Sequence, residues 1–134
     1  MPLRLVLKPR ERLIINGASL RNGDRQTELL IENHCKFLRE TEIIYESDAD
    51  TACKKLGFTL QAIYLAEDVS ELETLFVAQA GEIIGQVPSM APYVAVIYDE
   101  INRKQYHRAI KAGKKLIAYE QALQERLAKS SDAA

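Results

Sequence analysis

Leu3, Leu5 and Leu7 alternate with Arg4, Val6 and Lys8, so an extended chain sends the leucines to one face and mostly charge to the other. Pro9-Arg10 interrupts this pattern before a second apolar run, Leu13-Ile14-Ile15, which ends in Asn16-Gly17. That dipeptide tolerates positive φ at both centre positions of a tight hairpin, so it predicts a return strand over Ala18 to Arg21. Asn22-Gly23-Asp24 repeats the turn chemistry, Arg25 to Glu32 resumes alternation through Thr27, Leu29 and Ile31, and Cys35 to Leu38 supplies a fifth short strand. Such a sheet needs a cover for its faces, either a helix or a second copy of itself.

Near residue 46 the period becomes helical. Ser47 or Asp48 is expected to cap a helix that carries Ala52, Leu56, Leu60 and Ile63 on one face and ends near Ala66. Ser70-Glu71-Leu72-Glu73 reads as a capping box opening a second helix, with Leu72, Leu75, Phe76, Ala80, Ile83 and Ile84 as its buried stripe. Gly85 and Pro88 close it, Ser89 can cap the next helix, and Pro92 fits only in that helix's first turn. The helical pattern then runs from Tyr93 to Lys129, losing phase between Asn102 and Gln105. The expected fold class is α+β: a five-stranded antiparallel sheet or small barrel over 1–46, then a bundle of three to four helices over 47–129. A polar tail, 130–134, is expected to be unstructured.

At 134 residues and 47% apolar, the chain can build one core, or two lobes, but hardly two domains of ordinary size. The 18 Lys and Arg balance 19 Asp and Glu, so any affinity for nucleic acid must come from local clustering. Basic side chains gather towards the two ends and the middle third is acidic. Cys35 and Cys53 have no C-x-x-C spacing, and no leader-like or membrane-length apolar run is present, so a reducing, cytoplasmic setting without membrane contact is expected. His34 beside Cys35 could form a corner of a metal site, but a zinc ion needs three or four ligands and only Cys53 and His107 could add to them, so no metal is expected.

No nucleophile elbow, zinc-protease or phosphate-loop motif occurs, and the carboxylates are spread along solvent-facing positions. A non-enzyme without a cofactor is expected. Arg4, Lys8, Arg10 and Arg12, with Arg39 from the last strand, could line a phosphate path, while Arg21 and Arg25 are expected at the far turn. The same arginines, interleaved with Glu11, Glu40 and Glu42, also describe ordinary solvated strand faces, and few aromatics are present there for base stacking. Lys104, Arg108, Lys111 and Lys115 share a helical face that fits a solvated surface or a second RNA patch. Tyr93, Tyr98, Tyr106 and Tyr119 are half-buried helix residues or anchors for a protein partner.

The run MPLRLVLKPRERLIINGASLRNGDRQTELLIEN, the short FLRETEII and YHRAIKAGKKLIAYEQAL resemble the FlbT family of bacterial flagellin regulators. The resemblance extends from Met1 to about Leu127. It implies a post-transcriptional regulator, a repressor of flagellin synthesis, that binds the 5′ untranslated region of flagellin mRNA and lowers its translation and stability in coordination with FlaF. The alternative is an adaptor that grips FlaF or flagellin and affects mRNA indirectly. The first five strands also resemble the carbon storage regulator CsrA, a strand-swapped dimer that binds mRNA leaders. Glu11 and Leu13 to Ile15 match its second strand, and Leu38-Arg39-Glu40 the step after its fifth. That likeness implies RNA contacts by Leu5 and Arg39, a CsrA-like sheet with strands one and five adjacent so that Arg4 and Arg39 meet, and a homodimer through the β lobe. Leu7 stands where CsrA has a further arginine, with Lys8 beside it. On this reading Arg39→Ala weakens RNA binding and leaves unfolding unchanged.

Overall fold

The strands and helices follow one another as β1 (Leu3–Leu7), β2 (Arg12–Ile15), β3 (Ala18–Arg21), β4 (Thr27–Ile31), β5 (Phe37–Arg39), α1 (Ala52–Leu65), α2 (Ser70–Gln86), α3 (Ala91–Asn102) and α4 (Tyr106–Asp132). They are taken from a computed structural model that describes residues 2–132. The class is α+β, with five antiparallel strands ahead of four helices, in two compact units that divide between Ile43 and Ile44.

In the first unit, hydrogen bonding sorts the strands into two sheets rather than one: β1 pairs with β4, and β2 lies between β3 and β5. Asn16 and Gly17 take φ of 49° and 85°, the left-handed pair required by the two-residue turn that sets Ile15 opposite Ala18. Register then decides what is buried. Glu11, Leu13 and Ile15 fall on one side by the two-residue period, and Leu13 and Ile15 stand opposite Arg39 and Phe37 of β5. Leu5, Leu7 and Leu13 form the core, with Ile15, Leu29, Ile31 and Phe37 packed around them. Leu3, the third leucine of the opening pattern, is nearly half exposed at the strand end.

The adjacency of strands one and five expected from the CsrA likeness is not found: β5 pairs with β2, and Arg4 pairs with Glu28 of β4. Arg4 and Arg39 therefore do not meet as strand neighbours.

The second unit begins with a clamp. The Gln61 amide accepts from the Ile44 N–H at 2.8 Å and donates to the Ile44 carbonyl at 3.2 Å, tying the incoming chain to α1. Residues 46–48 wind into a 3₁₀ turn, so neither Ser47 nor Asp48 caps α1; the Thr51 hydroxyl does, accepting from the Lys54 N–H at 3.2 Å. The capping box at α2 also fails to form. Ser70 gives both its N–H and its O–H to the Asp68 carboxylate, which lies closer in sequence than the N–H three residues on, and Glu73 instead accepts from the Tyr106 hydroxyl at 3.5 Å. Ser89 sits in a 3₁₀ turn (Pro88–Met90) and accepts from the Tyr119 hydroxyl at 2.7 Å rather than capping α3.

α1 packs on α2 and α4, and α3 packs on α4, around Leu56, Leu60, Ile63, Phe76, Ile97 and Leu116. The expected break falls at Arg103–Gln105, where Lys104 takes φ of 59° and the chain reverses into α4. Helix α4 continues through 130–132, the first part of the stretch expected to be an unstructured tail; 133 and 134 lie outside the described residues. Among the described residues no helix is long and apolar enough to cross a membrane.

Candidate nucleic-acid interface

The six residues singled out for RNA divide into three environments. Leu5 is 5% exposed, and its side chain meets the β core rather than solvent. Arg39 is held inward by Glu11: its Nε donates to Oε2 at 3.2 Å, its Nη2 reaches Oε1 and Oε2 at 3.2 and 3.1 Å, and Nη2 also donates to the Val6 carbonyl. Glu11 is itself buried and accepts from the Lys8 backbone N–H at 2.9 Å. That backbone bond and the adjacent guanidinium outweigh the cost of burial and hold the Glu11 carboxyl below its ordinary range. Arg39 is thus a partner to a buried carboxylate that also braces an edge carbonyl of β1, and two of its three nitrogens are already engaged.

Arg4, Lys8, Arg10 and Arg12 stay at or near the surface. Arg4 pairs with Glu28 at 2.7 Å and Arg10 with Asp24, both as exposed contacts that solvent screens strongly. The Arg12 backbone N–H donates to Glu40 at 3.3 Å.

What gathers the remaining cations is Asn22. Its Nδ2 donates to the carbonyls of Lys8 and Arg25, each at 2.8 Å, and more weakly to that of Leu7, while its Oδ1 accepts from the Gly23 N–H. The Arg10 N–H donates to the Gly23 carbonyl at 2.9 Å, and Arg21 Nη1 donates to the Arg10 carbonyl at 2.9 Å. Arg10 holds φ of 64°, which turns the link between β1 and β2 back on itself. The register of the hairpin sets Arg21 opposite Arg12.

Arg21 and Arg25, expected at a distant turn, therefore stand with Lys8, Arg10 and Arg12 at one end of the first unit. Lys8, Arg21 and Arg25 make no ion pair among the described residues. The signal that could have located them was in the chain: an Asn-Gly hairpin turn between equal arms returns residue 21 to residue 12, and Asn22-Gly23 turns residue 25 towards residue 8.

The tyrosines proposed as partner anchors lie in the helical unit. Tyr93 stacks on Tyr119 with ring centroids 4.7 Å apart, Tyr98 stacks on Phe76 at 6.4 Å and is half exposed, and Tyr106 reaches Glu73. Burial and the Glu73 charge push the Tyr106 hydroxyl up from its ordinary value.

A family model described as Flagellar protein FlbT matches residues 3–124. A flagellum biosynthesis repressor protein FlbT of Caulobacter vibrioides is 33% identical over 123 residues, covering 90% of this chain and 87% of that protein. Proteins named "Probable flagellum biosynthesis repressor protein FlbT" include one from a Caulobacter species, 32% identical over 90% of this chain and 94% of its own. Another, from Rhodopseudomonas palustris, is 31% identical over 94% of this chain and all of its own. No solved structure gives a significant match.

Proposed function

The chain belongs to the FlbT family, whose named relatives are regulatory repressors, and we propose that it represses flagellum biosynthesis by binding the 5′ untranslated region of flagellin mRNA. The observation that supports the RNA reading is that the Asn22 side chain, the Arg10–Gly23 backbone bond and the β2–β3 register bring the backbones of Lys8, Arg10, Arg12, Arg21 and Arg25 to one end of the first unit. The backbone that carries these cations is already fixed by hydrogen bonds, and each phosphate neutralised releases counterions. Arg10 exchanges a screened contact with Asp24 for one with phosphate at small cost.

The proposed contact set therefore differs from a CsrA-like one. Arg39 and Leu5 support the sheet from within, and Arg21 and Arg25 join Lys8, Arg10 and Arg12 outside it. In the cell, FlaF is the proposed partner in this regulation, lowered translation and stability of the message the proposed outcome, the cytoplasm the proposed site, and a homodimer through the β unit the proposed assembly.

The test is a titration of purified protein against a labelled flagellin leader over a range of salt. The expected result is a linear fall of log affinity with log salt, whose slope decreases by about 0.7 for each phosphate-bound cation replaced by alanine at Lys8, Arg21 or Arg25. Affinity and slope unchanged in the triple variant would reject this surface. Leader binding that appears only once FlaF is added would instead favour the adaptor reading.

A further inference from the structure

Between α3 and α4 of the second unit runs an open groove of about 450 Å³, lined by Pro92, Tyr93, Val96, Glu100, Arg108, Lys111, Ala112 and Lys115. Its lining follows from helical spacing. On α3, Val94, Ile97 and Ile101 are buried in the bundle, and the neighbouring stripe of Tyr93, Val96 and Glu100 is left to the groove. On α4, Arg108, Lys111, Ala112 and Lys115 recur every three or four residues and form the facing wall. Val96 is 54% exposed at the centre, and Arg108, Lys111 and Lys115 are exposed and make no ion pair among the described residues.

We infer that this groove receives an amphipathic helix of a protein partner whose flank facing α4 carries Asp or Glu. The charge pattern selects it. Three cations along one wall, spaced over two helical turns, match carboxylates at the same spacing on an antiparallel or parallel neighbour, and the apolar floor of Tyr93, Val96 and Ala112 accepts side chains at i, i+3 or i+4, and i+7. The opposite wall ends in Glu100, whose Oε2 is sealed from solvent and has no hydrogen-bond partner among the described residues.

A nucleic acid fits the same surface less well. Phosphates find the cations but also an apolar floor, and the groove's one aromatic ring, Tyr93, already has a face covered by Tyr119 at 4.7 Å, leaving little for a base to stack upon. The inference is independent of the basic end of the first unit and can fail without affecting it.

The test uses the full chain, isotopically labelled for NMR. It is titrated with a synthetic peptide of about 18 residues that has leucines at helical spacing and glutamates on one flank, with the same peptide carrying lysines for glutamates, and with a single-stranded RNA of about 20 nucleotides. The glutamate peptide is expected to shift the amides of Tyr93 to Glu100 and Arg108 to Lys115, and to bind at least about tenfold more tightly than the lysine peptide. Val96→Glu is expected to weaken it by about the same factor while the amide spectrum of the strands is unchanged, and the pair Lys111→Glu with Lys115→Glu to invert the preference between the peptides. Equal binding of both peptides, binding indifferent to Val96→Glu, or displacement of the glutamate peptide from the groove by the RNA would overturn the inference.

Discussion

Arg12 and Arg21 stand directly opposite one another across the β2–β3 hairpin, in the ladder pair farthest from the Asn16-Gly17 turn. Like charges so placed disfavour the ladder by roughly 0.2–1 kcal/mol. Arg21→Glu puts an opposite charge there instead. The variant is expected to gain about 0.5 kcal/mol in urea unfolding while its affinity for a flagellin leader falls, since a cation has become an anion at the basic end. Stability and binding moving in opposite directions separates a cluster kept for a ligand from one that merely solvates a strand. Loss of stability in this variant would show that the Arg21 bond to the Arg10 carbonyl matters more than the repulsion.

The Glu11–Arg39 pair makes a prediction about folding and pH. Glu11 is 7% exposed, so Arg39→Ala leaves a buried carboxylate with only the Lys8 N–H and is expected to cost about 2 kcal/mol, the range for losing a charged hydrogen-bonding partner. This reverses the sequence-based expectation of unchanged unfolding. Because the folded state holds the Glu11 carboxyl below its ordinary value of 4.5, the contribution is present above pH 4.5 and is lost as pH falls through the folded value. Urea melts of the native protein and Glu11→Gln should therefore differ at pH 7 and converge in the acid range. A gap that widens on acidification would contradict the sign.

The hairpin turn, the change of period and the breaks between helices were legible because each rests on residues adjacent in the chain. Asn16-Gly17 and the Lys104 reversal are local backbone matters. What escaped were consequences of pairing over distance. Glu11, interleaved with the arginines, fits a solvated strand face, yet the same two-residue period that sends Leu13 inward sends Glu11 inward too. That rule, applied strictly, implied a buried carboxylate in need of a cation, but only the β2–β5 register supplies Arg39. Likewise the CsrA likeness implies an RNA contact by Leu5, whereas its alternation with Arg4 and Val6 assigns it to the core, where it lies. The caps failed for a related reason: a 3₁₀ turn takes up 46–48 so that the Thr51 hydroxyl caps α1, and at α2 the Asp68 carboxylate accepts the Ser70 N–H.

Two helical glycines make opposite predictions for one substitution. A Cβ on Gly57 would lie 2.8 Å from Ile44 Cδ1 and 3.0 Å from Ile117 Cδ1, whereas one on Gly81 meets nothing within 4 Å. Gly81→Ala gains helix propensity in open space and is expected to stabilise by about 0.5–1 kcal/mol. Gly57→Ala gains the same but must displace two isoleucines, and overpacking of this kind costs about 1–3 kcal/mol, so the net is expected to be a loss. Thermal melts of the two variants should shift in opposite directions. A rise for both would mean that Ile44 and Ile117 rotate aside at no cost.

The two thiols should differ sharply in reactivity. Cys53 lies at the start of α1, its sulfur 3.7 Å from Met90 Sδ, and its backbone N–H donates to Glu120, which also accepts from the Thr51 hydroxyl. Helix N-termini ordinarily acidify a thiol, but here burial and the Glu120 carboxylate oppose ionisation and push the Cys53 thiol up to about 12. Cys35 is a free, half-buried thiol of the first unit. A disulfide-exchange reagent at pH 8 is expected to label one thiol per chain quickly, with the second following only as the protein unfolds in urea. Removing the charge by Glu120→Gln should quicken labelling of Cys53 in two ways: the thiolate becomes less costly, and the N-terminal turn of α1 loses a charged acceptor and opens more often. Repeating the measurement at two pH values separates them, because the first effect is a change in the fraction of thiolate and the second a change in opening. Fast labelling of both cysteines in the native protein would contradict the buried environment assigned to Cys53.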